Sequence, residues 1–259
     1  MSSPESLDTR VRSAVAVVLL AATVSFYSVV ALLVAAFRTT PANAHWLYRA
    51  FARTCLRVLK TRLEVHGSDH LQPGQAYVIV SSHTSSWDIP CVLEGLSVLV
   101  VRFVVKREMM QIPVFGHAMR RTGNVKVVRS HTGDDVKRIQ DQMDRRDPAV
   151  SLLFFAEGTR SDDGSLRPFK MGAFATALGY ELPILPVALA GPFAIWPKGK
   201  LRLRRGAVAL EVGEPIPVEG LELADRAALR DRTHEAVAEL RARARQRLRE
   251  QGCDPGGVD

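Results

Sequence analysis

The chain has 259 residues, 47% of them hydrophobic, three cysteines and a formal net charge of +8 at pH 7. That length supports one substantial core and argues against a second full domain, and the charge asks for an anionic partner. Cys55, Cys91 and Cys253 are odd in number and lack metal-type spacing, which argues against a disulfide framework or zinc site and fits a reducing compartment.

Ala14 to Phe37 carries no charged residue, and as a helix it extends roughly 36 Å, enough to cross a bilayer. A cleaved signal peptide is the competing reading, because Ala42-Asn43-Ala44 has the small-x-small form of a cleavage site. The apolar run is too long for a signal h-region and Arg38 separates it from that site, so a membrane anchor is favoured. Arg10 and Arg12 ahead of the run are offset by Glu5 and Asp8, whereas Arg38, Arg49, Arg53, Arg57, Lys60 and Arg62 follow it. The positive-inside tendency then places the body of the protein in the cytoplasm.

Pro41 predicts a bend. Beyond it, Asn43 to Lys60 sets apolar Trp46, Leu47, Ala50, Phe51, Leu56 and Leu59 against Arg49, Arg53 and Arg57 at helical spacing. Such an amphipathic helix either lies among lipid headgroups or closes a core with a solvated face. Nucleic acid fits the net charge less well than anionic lipid, since basic arms interleaved with aromatics are missing.

From Arg62 onward short apolar runs alternate with helical patterns, the grammar of an α/β domain. Strands are predicted over Arg62–Val65, Tyr77–Ser81, Val100–Val105, Asn124–Val128, Val150–Phe155, Ile184–Ala190, Lys200–Arg204 and Val208–Val212. Helices are predicted over Trp87–Gly95, Pro113–Arg121, Thr132–Arg145 and Ala173–Leu182. His66 and His70 read as loop residues, because Gly67-Ser68-Asp69 breaks any helix that would align them as ligands. Gly213-Glu214-Pro215-Ile216-Pro217 opens a linker, and Leu223 to Gln251 reads as a helix with a solvated Arg- and Glu-rich face. The expected divisions are a tail over 1–13, a membrane anchor helix over 14–38, an amphipathic interfacial helix over 39–61, an α/β domain over 62–220 and a C-terminal helix and tail over 221–259.

Two runs carry chemistry. The first is Val80-Ser81-Ser82-His83-Thr84-Ser85-Ser86-Trp87-Asp88. On one continuous helix, His83 and Asp88 would stand ~140° apart and could not meet. With a strand ending near Ser81 and a helix beginning near Trp87, Asp88 could instead hold one ring nitrogen of His83 and leave the other as a base. The second run is Phe154-Phe155-Ala156-Glu157-Gly158-Thr159-Arg160-Ser161. Gly158 permits a close turn, Thr159 offers a hydroxyl and Arg160 a planar fork suited to phosphate. Glu157 would repel a bare phosphate and suits a hydroxyl or an Arg160 partner better. Taken singly, each run also reads as an ordinary strand-to-turn junction.

In combination, the runs resemble the glycerolipid acyltransferases, the 1-acyl-sn-glycerol-3-phosphate (lysophosphatidate) acyltransferases and their relatives. The family's Asn-His-x-x-x-x-Asp block is present as Ser82, His83 and Asp88. A second block corresponds to Lys106-Arg107-Glu108-Met109, Ile112-Pro113-Val114-Phe115-Gly116 and Gly123 to Arg129. The Phe-Pro-Glu-Gly-Thr-Arg-Ser block is present as Phe155 to Ser161, with Pro168 to Ala173 downstream, and the Pro-centred strand as Leu182 to Gly191. Ser82 stands in place of the usual Asn and Ala156 in place of the usual Pro.

The resemblance implies an α/β fold, a mixed β-sheet flanked by helices of the glycerol-3-phosphate acyltransferase kind, preceded by a transmembrane or interfacial helical segment. It implies transfer of a fatty acyl group from acyl-CoA or acyl carrier protein to the sn-2 hydroxyl of 1-acyl-glycerol-3-phosphate, giving phosphatidate. His83 is implied as general base and Asp88 as its orienter. Arg129, Arg160 and Lys106 are implied phosphate contacts, with Glu157, Gly158 and Thr159 shaping that pocket and Lys170 a second-tier candidate. No Gly-x-Ser-x-Gly elbow occurs, so direct attack in a ternary complex is expected, without metal or cofactor. The partners implied are lysophosphatidate, the acyl donor and an anionic membrane, at the cytoplasmic face of the inner cell membrane. Another lysolipid acceptor, a non-catalytic lipid-binding protein and a thioesterase stay open as alternatives.

Overall fold

The computed structural model describes residues 7–37, 44–127 and 147–258. The expected helix Thr132–Arg145 and the end of the expected strand at Val128 lie outside them. Two helices open the chain, α1 (Leu7–Ala36), which starts inside the expected tail, and α2 (His45–Val58). The hydroxyls of Thr23 and Ser28 in α1 return to the carbonyls of Leu19 and Val24 at 2.8 and 2.7 Å, so these polar groups are satisfied within an apolar helix.

The α/β body follows as β1 (Arg62–His66), β2 (Val78–Ser81), α3 (Asp88–Gly95), β3 (Val100–Lys106), α4 (Phe115–Arg121), β4 (Val125–Val127) and β5 (Val150–Phe155). It continues with α5 (Gly172–Gly179), β6 (Ile184–Ala190), a single turn α6 (Pro192–Ile195), β7 (Ala207–Val212) and α7 (Arg226–Glu250). The strands form one mixed sheet in the order β1-β7-β6-β2-β5-β3-β4. Every pairing is parallel except β6 with β7. β2, β6 and β7 are buried along their whole length and β5 nearly so, which is why their sequences read as unbroken apolar runs rather than alternations.

Apolar residues from α1, α2 and α3 cover one face of the sheet, and α5 with α7 cover the other. Two expectations change here. Beside the expected solvated face, the helix after Leu223 carries a core face: Leu229, Thr233, Val237, Leu240, Ala244 and Leu248 form a buried stripe at helical spacing, packed on β6 and β7. Two of its arginines are buried as well. Arg241 Nη2 donates to the carbonyls of Gly164 and Val258 at 2.6 and 2.8 Å, and Arg245 binds the carbonyls of Gly256 and Gly257. The chain end is thereby clamped against the loop that follows Ser161.

The second correction concerns Lys200–Arg204, which forms no strand. It belongs to an excursion between α6 and β7 that is tied down at several points. Arg204 N–H donates to the Ile195 carbonyl (2.9 Å), and Trp196 Nε1 donates to the Lys200 carbonyl (3.0 Å). Ser13 of α1 reaches the same excursion, its hydroxyl donating to the Leu203 carbonyl (3.4 Å) and accepting from the Leu203 N–H (3.3 Å). At the other end of α1, Ala31 is buried with Leu47 of α2 and Ala118 of α4. The helix therefore lies along the α/β body instead of standing off it.

Candidate active site

β2 and β5 are parallel neighbours with Ser81 opposite Phe155, so the residues two beyond each strand, His83 and Glu157, emerge side by side at the carboxyl end of the sheet. His83 Nδ1 lies 2.8 Å from Asp88 Oδ2. The same oxygen accepts the N–H groups of Thr84 (2.8 Å) and Ser85 (2.9 Å), and Asp88 is 1% exposed. This is the turn that the five-residue spacing required. Asp88 opens α3 and reaches back over the loop, where three donors on one oxygen fix it. With Nδ1–H donating to the carboxylate, Nε2 is left as an acceptor, and it has no hydrogen-bond partner among the described residues. The imidazole lies flat on Phe155, ring centroids 3.8 Å apart and planes at 12°.

Glu157 is 3% exposed, and its oxygens accept from the N–H groups of His83 (2.7 Å) and Arg167 (3.3 Å). Burial pushes its pKa up to about 7, with the two backbone donors opposing the shift and Asp88 adding to it. The sequence reading set Glu157 in a phosphate pocket. Through those two N–H contacts Glu157 braces the backbone of His83 beneath the site. Ser161 N–H donates to the His83 carbonyl (2.9 Å), a second tie between the two runs.

Both runs border one large open groove of about 2010 Å³. His83, Ser86, Gly158, Thr159, Arg160 and Lys170 line its polar part. Its apolar walls come from α1 (Val17, Leu20, Val24), α2 (Tyr48, Phe51), α3 (Ile89, Leu93) and the stretch Met109–Met119. Gly158 sits at φ 75°, a conformation in which a side chain would be strained. Arg160 Nη1 donates to Ser86 Oγ (2.8 Å), so Arg160 rests on the loop that carries His83. Of the other expected phosphate contacts, Arg129 and the side chain of Lys106 lie outside the described residues.

Three contributors were not singled out from the sequence. Lys198 lines the groove, donates from Nζ to the Arg160 carbonyl (3.0 Å) and pairs with Asp162 Oδ1 (2.7 Å). Ser85 Oγ donates to the Trp196 carbonyl (2.7 Å), and Ser86 accepts from Arg160. Lys198 stands in no motif and is 38 positions from Arg160, so only the fold announces it. The basic stripe on α2 is also partly spent, since Arg53 Nε pairs with Glu94 at 2.9 Å. Among the described residues no cluster of His, Cys, Asp and Glu is arranged to hold a metal ion.

Comparison with known proteins identifies the family and the fold. A family model described as Acyltransferase matches residues 62–190. The chain is 34% identical over 179 residues to the 1-acyl-sn-glycerol-3-phosphate acyltransferase alpha of Bos taurus, covering 68% of this chain and 61% of that protein. It is 32% identical over 188 residues to the beta protein of Homo sapiens, covering 72% of this chain and 67% of that one. The chain thus spans less than two thirds of the length of the alpha-type relative. Its fold matches the crystal structure of the 1-acyl-sn-glycerophosphate acyltransferase PlsC of Thermotoga maritima, with a TM-score of 0.73 at 23% identity, covering 91% of this chain and 97% of that one.

Proposed function

This chain belongs to the acyltransferase family that includes the 1-acyl-sn-glycerol-3-phosphate acyltransferases, and from that premise we propose that it acylates the sn-2 hydroxyl of 1-acyl-glycerol-3-phosphate, releasing phosphatidate and a thiol. One observation carries the reading: a histidine with Nδ1 held by Asp88 borders a groove that runs from Arg160 into apolar walls. That juxtaposition matches an acceptor with a hydroxyl, a phosphate and a fatty chain.

In the proposed reaction Nε2 of His83 takes the proton of the sn-2 hydroxyl as its oxygen attacks the thioester carbonyl. Asp88 stabilises the imidazolium. The tetrahedral oxyanion collapses, the C–S bond breaks, and the imidazolium returns its proton to the departing thiolate. The thioester supplies the activation, so no cofactor is needed. Arg160 faces the acceptor phosphate as a fork, with Lys106 and Arg129 assigned beside it by the family motif, and Gly158 and Thr159 shape the turn. Acyl-CoA is the donor proposed first, and acyl carrier protein the alternative.

We also place the protein on the cytoplasmic face of the inner cell membrane. Val11, Val15, Val18, Phe26, Val29 and Leu33 form an exposed apolar stripe along α1, and Trp46, Met109, Ile112 and Val114 add exposed apolar groups. The helix touches the α/β body at Ser13 and again at Ala31, roughly 27 Å apart along its axis. Spanning the bilayer would drag that body into hydrocarbon, so α1 is read as lying within one leaflet.

Thiol release by the purified protein, measured with acyl-CoA or acyl carrier protein and a panel of lysolipids, tests the proposal. Release that depends on lysophosphatidate and vanishes in His83→Ala supports it. Dependence on a different lysolipid would replace the acceptor, release without any acceptor would indicate a thioesterase, and lipid binding without release would remove the catalytic reading.

A further inference from the structure

Charge outside the groove is distributed unevenly. From Lys198 to Leu210 the chain contains no acidic residue, and Lys200, Arg202, Arg204 and Arg205 fall within six positions. Lys200, Arg204 and Arg205 are exposed, and Leu201 among them is 77% exposed, whereas Leu203 is buried. The loop is hydrogen-bonded at three points, Arg204 to Ile195, Lys200 to Trp196 and Leu203 to Ser13. It lies against the first turns of α1 on the Ser13 side, opposite the exposed Val11 and Val15 where the apolar stripe begins and between the exposed Arg10 and Arg12.

We propose that Lys200–Arg205 is an electrostatic docking site for the anionic headgroups of a bilayer, with Leu201 inserted between them. The inference rests on reading α1 as a membrane-bound helix. Three observations select a lipid surface over the phosphates of a thioester donor. Among the described residues the cations that border the groove are Arg160, Lys170 and Lys198, and none of Lys200 to Arg205 lines it. A leucine held out among cations matches a surface that is charged at the headgroups and apolar beneath. The loop is continuous with α1 through both Ser13 hydrogen bonds, so seating one seats the other. The basic stripe of α2 competes less well, because Arg53 is engaged with Glu94.

The test compares full-length protein with the triple variant Lys200→Glu, Arg204→Glu, Arg205→Glu, and separately with Leu201→Ser, by co-sedimentation with vesicles. One set of vesicles is phosphatidylcholine alone; the other contains phosphatidylglycerol at about 30 mol%. A cation near an anionic surface is worth roughly fivefold in partitioning. Wild-type protein is therefore expected to favour the anionic vesicles by about tenfold or more, a preference that fades with added salt. The triple variant should lose that preference yet bind phosphatidylcholine as wild type does, and Leu201→Ser should weaken binding to both.

Thiol release on detergent-dispersed lysophosphatidate should be unchanged in the triple variant. If that variant keeps the anionic preference, the loop does not sense charge and the proposal fails. A raised KM for acyl-CoA with vesicle binding intact would make the loop a donor site, which also overturns it. Absence of wild-type binding to either vesicle would remove the reading of α1 itself, an outcome distinct from binding both kinds equally, which removes only the loop.

Discussion

His83 and Arg160 leave adjacent strands and border the same groove, yet they are held in opposite ways. The histidine is fixed on every side: Asp88 holds its ring, Glu157 its N–H, Ser161 its carbonyl, and Phe155 supports its plane. The arginine side chain makes one described hydrogen bond, to a serine hydroxyl, and Lys198 steadies its backbone. The difference separates two demands. A base must meet a hydroxyl within tenths of an ångström, whereas a guanidinium can swing to find a headgroup. In the proposed reaction the first pole governs turnover and the second governs acceptor affinity.

Substitutions at each pole break or sharpen that contrast. The largest loss is expected from His83→Ala and from Asp88→Asn, about 10³-fold or more in kcat, read by steady-state thiol release on protein checked for its fold by circular dichroism. Equal activity of Asp88→Asn and wild type would show that the ring needs no holding. Arg160→Ala should raise KM for lysophosphatidate by about 10- to 100-fold, the loss of a charged hydrogen bond, while kcat changes far less. If kcat fell as steeply as for His83→Ala, the two poles would not be separate. Lys198→Met, which frees the turn behind Arg160, should raise the same KM only a few-fold, with Lys198→Arg restoring it.

A further effect concerns stability. Glu157 titrates near 7 in the folded protein against an ordinary value of 4.5. Its raised pKa means that the folded state binds the extra proton. The associated stability is fully present below pH 4.5 and is lost as pH rises through about 7. Glu157→Gln keeps an acceptor for one backbone N–H and removes the buried charge. Relative to wild type it should gain about 2 kcal/mol in urea unfolding between pH 5 and pH 8. A difference flat with pH would mean that Glu157 is ionised without cost where it sits.

The sheet and the two motif runs were legible because both are local. Strands buried on both faces write continuous apolar runs, and His83 with Asp88, or Glu157 with Arg160, are near neighbours in the chain. The groove walls were hidden because they come from helices as distant as α1 and α4. α7 misled because its exposed arginines and glutamates outnumber a buried stripe that only the sheet makes visible, with Arg241 and Arg245 buried against carbonyls. Lys200–Arg204 alternates apolar and charged residues as a half-buried strand does, but the backbone of Leu203 pairs with the Ser13 hydroxyl of α1 rather than with a neighbouring strand. Lys198 had no local signature at all.

The stacking of His83 on Phe155 has a spectroscopic consequence. A proton held over the face of an aromatic ring experiences its induced field, so the carbon-bound protons of this imidazole should resonate upfield of those of an imidazole that touches no ring. They would provide an intrinsic marker of the base, visible without any added label. Phe155→Leu should move those lines back towards ordinary positions, and titrating in a lysolipid should displace them only if it reaches the ring.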